Sequence, residues 1–115
     1  MKKLIIAMSL CVVSSASMAA SVCTGTAGSG TQVSPASTPE FVKTAFTPKC
    51  SANTTVDFVE NATTAAAGAI SSKGNQVFKG HTNGGAVAGT ACAAAACVAG
   101  EAATASAAAL AEGST

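Results

Sequence analysis

The sequence predicts a mainly β protein, a small antiparallel meander or sandwich with a flexible N-terminal arm and an Ala-rich C-terminal tail. Three observations carry this. Short runs of β-branched and aromatic residues between Glu40 and Ala91 are separated by Gly-Asn and Asn-Gly dipeptides, which favour tight hairpins. The hydrophobic content is 49%, but 28 of the 115 residues are Ala, so few side chains are large enough to fill a helical core. Five cysteines in a short chain point to covalent reinforcement.

The first 19 residues read as a secretory signal peptide. Lys2 and Lys3 precede an apolar run from Leu4 to Val13, and Ser14–Ala19 supplies the small residues of a cleavage site. A ten-residue apolar run is too short to span a bilayer of roughly 30 Å, so no membrane span is expected after signal removal. Removing the segment also removes Cys11. Cys23, Cys50, Cys92 and Cys97 remain, an even set in an exported chain, which favours two disulfides. Of three connectivities, Cys23–Cys50 with Cys92–Cys97 closes one moderate and one tight loop, worth roughly 3.6 and 2.2 kcal/mol of chain entropy.

Residues 20–39 are Ser, Thr, Gly, Ala and Pro with only Val22 and Val33 as larger apolar groups, and read as an extended or flexible arm. Residues 40–91 form the β-rich domain. Phe41–Phe46 is the first candidate strand, ended by Pro48. Thr54–Glu60 is the second, with Val56 and Phe58 on one face and Asp57 and Val59 on the other. Two hairpins with turns Gly74-Asn75 and Asn83-Gly84 follow. Two-residue loops would set Ser71 opposite Phe78 and Gly80 opposite Val87, leaving the Phe78 ring to cover Gly80. Phe41, Phe46, Phe58, Phe78 and Val87 make up the expected core. Residues 92–115 hold the tight cysteine loop and the Ala-rich tail, which reads either as a short helix over Glu101–Ala111 or as a small-residue strand given to another subunit.

Large apolar groups after Ala19 are eight Val, four Phe, Ile70 and Leu110, about 15% of that stretch and below the roughly 20% of ordinary globules. The chain lacks Trp, Tyr and Arg and has one His. Gly80–Gly85 does not complete a phosphate loop, because Ala86-Val87 stand where Lys and Ser/Thr belong. His81 and Asp57 lack a nucleophile motif, and Cys92-x4-Cys97 is a single pair at a wide spacing that an exported chain would more readily oxidise than give to zinc. No catalytic residue, metal or cofactor is expected. Four Lys face five acidic residues after Ala19 with no basic patch, so no nucleic-acid partner is expected. Asn53-Thr-Thr and Asn61-Ala-Thr match the glycosylation pattern, as chance allows in a Thr-rich chain.

A bacterial-type export signal, Cys23 near the mature start, Cys50 27 residues on, and Ala/Gly/Ser/Thr-rich short strands without a catalytic set resemble small bacterial extracellular-fibre (pilin-like) subunits. The resemblance is compositional. It implies a structural subunit that polymerises by strand pairing, with copies of itself as partner and the cell surface or exterior as location. A monomeric periplasmic or surface binding module, with a protein or glycan partner, is the alternative.

Overall fold

The computed structural model describes residues 20–35 and 41–114. The signal segment with Cys11, the end of the arm at 36–39, Glu40 at the start of the β-rich domain, and Thr115 lie outside them. Among the described residues the elements run β1 (Ala20–Thr24), β2 (Gly28–Ser29), β3 (Lys49–Cys50), β4 (Thr54–Glu60), β5 (Ala65–Ser71), β6 (Gln76–His81), β7 (Ala88–Ala91) and α1 (Ala99–Gly113). Five strands form one antiparallel sheet in the order β1-β4-β5-β6-β7, and β2 pairs with β3 apart from it. The mainly β architecture is the one the sequence predicts.

β4 follows the expected alternation. Thr55, Asp57 and Val59 are buried while their neighbours are half-buried. The register Val59↔Ala66, Asp57↔Gly68 and Thr55↔Ile70 carries that face across β5, and Lys79 and Val77 carry it across β6. α1 packs on this face, over β4, β5 and β6.

Smallness makes that packing possible. Ala102, Ala105, Ser106, Ala109, Leu110 and Gly113 are the buried helix positions, spaced three and four apart along one side of a 3.6-residue helix. A Cβ placed on Gly68 would stand 2.2 Å from the Ala102 carbonyl oxygen and 2.7 Å from the Ser106 nitrogen. Helix backbone therefore lies directly on strand backbone. The sequence gives the tail Leu110 as its only large anchor, yet the helix docks by close approach, with Val59, Ala66, Ala109 and Leu110 forming one small cluster and Ile70, Cys97 and Ala102 another. The helix is also longer than Glu101–Ala111, and it settles the tail's two readings in this chain.

The two ends of α1 are held by polar groups. Glu101 accepts hydrogen bonds from the N–H groups of Val98 (2.9 Å) and Ala93 (2.8 Å), which holds its carboxyl below the usual range, the Ala93 bond contributing most. At the other end the Gly113 carbonyl accepts from the buried Thr64 hydroxyl (3.2 Å) and from the Asn83 amide. The Asn83 amide also donates to Thr64 Oγ1 at 2.8 Å, and Asn61 Nδ2 donates to Ser114 Oγ at 2.8 Å. Carbonyls that a helix leaves unpaired thus find partners in two strand turns.

The 20–35 stretch does more than the arm reading allows. Ala20–Thr24 is an edge strand of the sheet, and Val22, Cys23 and Val33 are buried in a third cluster against Val42, Cys50, Val56 and Phe58. The disulfide Cys23–Cys50 holds this segment down, with Cα atoms 5.6 Å apart, and Cys92–Cys97 closes the loop before α1 at 5.3 Å. Both are the expected pairs. Phe41–Phe46 is not a regular strand. Its single ladder contact is Val33↔Phe46, and Glu60 instead accepts bonds from the N–H groups of Phe41 and Val42. Pairing resumes beyond Pro48, at β3.

The first hairpin differs from expectation by two residues. Ala69, not Ser71, faces Phe78, and the turn closes at Ser72-Lys73, where Gly74 N–H donates to the Ser71 carbonyl at 3.0 Å. Because the slip is even, each side chain keeps its predicted face. The second hairpin keeps its expected register, with Lys79↔Ala88 placing Gly80 opposite Val87. Positive φ falls on Gly84 (94°) and Gly85 (86°), while Asn83 is not among the positive-φ residues and uses its amide on the helix end.

Candidate association surface

The sheet face opposite α1 is divided. Its β1–β4 half lies under the stapled segment, and among the described residues nothing covers its β5–β6–β7 half. Four of the five residues expected in the core sit outside it: Phe41 (38% exposed), Phe46 (46%), Phe78 (48%) and Val87 (72%). Phe58 is half-buried against the third cluster. The error has a physical source. Aromatic residues are placed in a core by default, but this sheet has one helix for two faces, and Phe78 and Val87 are on the face without it.

Phe58, Ala67, Ala69, Phe78, Gly80 and Val87 line a shallow groove of about 410 Å³ on that bare face. Phe78 does not cover Gly80. It faces Gly89 across the β6–β7 ladder, and a Cβ on Gly89 would stand 2.8 Å from the Phe78 ring. The ring lies on exposed glycine backbone at the margin of the sheet.

That margin is β7. All four of its residues are exposed, and the whole stretch Ala86-Val87-Ala88-Gly89-Thr90-Ala91 carries no charge and no proline. Charged side chains, proline, bulges and covering loops are the usual guards of a sheet edge. β1, the opposite edge, has two of them: a bulge between Ser21 and Cys23, and a covering chain whose Thr31 N–H donates to the Val22 carbonyl at 2.9 Å. Burial alone would not have singled out β7. The signal available in the sequence was six uncharged residues after a hairpin turn.

Residues with chemical potential are engaged singly. The buried Asp57 accepts from Ser21 Oγ at 2.6 Å, while His81 Nδ1 accepts from the Asn83 N–H at 3.3 Å, two strands away. Ligand atoms of Cys92, Cys97 and Glu101 lie within 4.8 Å of one another, the spacing of a metal cluster. The two sulfurs, however, are bonded to each other, and Glu101 is occupied with backbone N–H groups. Zinc takes thiolates, which a disulfide does not offer. Lys79 pairs with Glu112, tying β6 to the helix.

No family model, curated protein or solved structure matches the chain. Among the described residues no helix is long and apolar enough to cross a membrane, and the two disulfides are compatible with an exported protein.

Proposed function

We propose that the chain is an exported structural subunit, placed outside the cell or at its surface, that associates with further copies of itself by strand pairing. One observation carries this reading: a fully exposed, uncharged edge strand that borders an exposed apolar face. An open ladder offers backbone donors and acceptors to any extended chain, and apolar neighbours add burial once that chain is seated. The two disulfides support the oxidising destination. The chemistry of the remaining side chains favours no reaction.

The test is direct. Secreted or refolded disulfide-intact protein is examined by light scattering and negative-stain microscopy over a concentration series. Association that grows with concentration supports the subunit reading, and a monomer at every concentration overturns it.

The groove favours a second reading, a monomeric binding module that takes a partner's apolar side chains over Phe78 and Val87. Its mark is saturable binding by a chain that stays monomeric.

A further inference from the structure

The β7 edge has a pairing rule of its own, which follows from hydrogen-bond parity. In an antiparallel ladder, bonded and non-bonded residue pairs alternate. Cys92 N–H donates to the Asn75 carbonyl at 2.9 Å, which makes Asn75 and Cys92 a bonded pair. Counting along the register, Thr90 with Val77 and Ala88 with Lys79 are bonded pairs too. Thr90 and Ala88 therefore turn their N–H and C=O groups toward β6. Val87, Gly89 and Ala91 turn theirs outward, in a row with Gly89 at its centre.

A neighbour's β1 does not fit this row. Its outward carbonyl at Val22 is taken by Thr31, and its own chain crosses so closely that a Cβ on Gly30 would lie 2.2 Å from that oxygen. Of the two edges of the sheet, only β7 is left uncovered by the described residues, so the edge that matches it on a second copy is β7 again.

We infer that β7 pairs antiparallel with β7 of a second copy about a two-fold axis at Gly89, joining two five-stranded sheets into one. This inference rests on the self-association reading above. In that register Gly89 faces Gly89, Val87 faces Ala91, and every outward group of the row is bonded. Any other register leaves part of the row unpaired. A two-fold axis normal to the sheet keeps the bare faces on the same side. Opposed Gly89 Cα atoms then stand about 5.5 Å apart, and the Phe78 ring of each copy, already lying on its own Gly89, meets the other ring across the axis. Glycine is needed there because a side chain at 89 would occupy the place of the rings.

Such a contact is isologous and closes on itself. The outer edges of the joint sheet are two covered β1 strands, so strand pairing ends at two chains. The dimer is the building unit, and any longer assembly grows from it through a different surface. The edge is short, so the contact belongs with small, transient interfaces, below about 1,200 Å², and forms in a concentration-dependent way.

Sedimentation of the disulfide-intact chain over a concentration series tests the inference, together with three variants. The expected result for the unaltered chain is a monomer–dimer equilibrium with no larger strand-paired species. Ala91→Pro removes an outward N–H without touching a bond to β6, and weakens the dimer roughly tenfold or more, since both copies lose a hydrogen bond. Ala88→Cys and Thr90→Cys, mixed under mild oxidation, cross-link to each other, because 88 and 90 face one another as a close non-bonded pair, and neither cross-links alone. A dimer unchanged by Ala91→Pro, cross-linking of either cysteine variant by itself, or open-ended growth overturns the two-fold pairing while self-association stands. A chain that stays monomeric throughout overturns both.

Discussion

The helix-covered face of the sheet and the covered half of the other face are closed by opposite means. Over β1 and β4 the cover is a loose segment whose Val33 and Val42 pack against Val22 of β1, held by the Cys23–Cys50 bond. Over β4, β5 and β6 the cover is a regular helix that has almost no side chains to pack and docks because Gly68 lets its backbone touch the strand. A disulfide acts chiefly by restricting the unfolded chain, whereas a close backbone contact acts in the folded state alone. A chain poor in large residues thus covers half of one face by raising the free energy of the unfolded ensemble and the helix face by lowering that of the native one.

That contrast breaks most visibly at the staple. Replacing Cys23 and Cys50 together with Ala is expected to cost roughly 2–5 kcal/mol. It should also raise the dependence of stability on urea, since the freed chain exposes more surface on unfolding. Gly68→Ala is next, at about 3 kcal/mol, because the added methyl meets the Ala102 carbonyl rather than a movable side chain. Here the urea dependence should stay as it is while the midpoint falls. If both variants changed that dependence equally, the division between unfolded-state and native-state effects would be wrong.

Smaller effects sharpen the helix side. Asn83→Ala removes the amide bonds to Thr64 and Gly113 and should cost about 1–2 kcal/mol. That is a fall in melting temperature of roughly 4–16 °C for a chain of this size. Glu101 gives the smallest effect and a pH signature. Its carboxyl is held below the usual range in the folded chain, so its contribution is fully present above the ordinary carboxylate pKa and is lost as pH falls through the lowered one. Protection of the first turn of α1 against hydrogen exchange, taken relative to the intrinsic exchange rate at each pH, should fall on acidification from pH 6 toward pH 3. In Glu101→Gln that pH-dependent loss of protection should be reduced.

What could be read from the sequence depended on which physical signal each element carries. β4 has alternation over seven residues and was legible to the residue. The cysteine pairs followed from parity and loop length, while alanine propensity offered the tail's helix only beside a donated strand and did not choose between them. β1 was not marked as a strand, because Ala20–Thr24 holds mostly small residues and its place comes from neighbours rather than from pattern, whereas β5 was legible through the hairpin that follows it. The first hairpin slipped because Gly74-Asn75 looked like a turn, while the hydroxyl of Ser71 and the pair Ser72-Lys73 make one earlier. The bare edge was beyond a one-dimensional reading, since whether β7 lies inside or at the margin of a sheet depends on strand order.

The glycine–alanine seam has one more consequence, a thermal one. Contacts between backbones bury little hydrocarbon, so unfolding this chain releases little apolar surface into water. The heat-capacity change should fall below the usual ~12–15 cal/mol/K per residue. A small heat-capacity change flattens the stability curve, which makes the fold shallow in depth but broad in temperature, losing little on cooling where ordinary hydrophobic cores weaken.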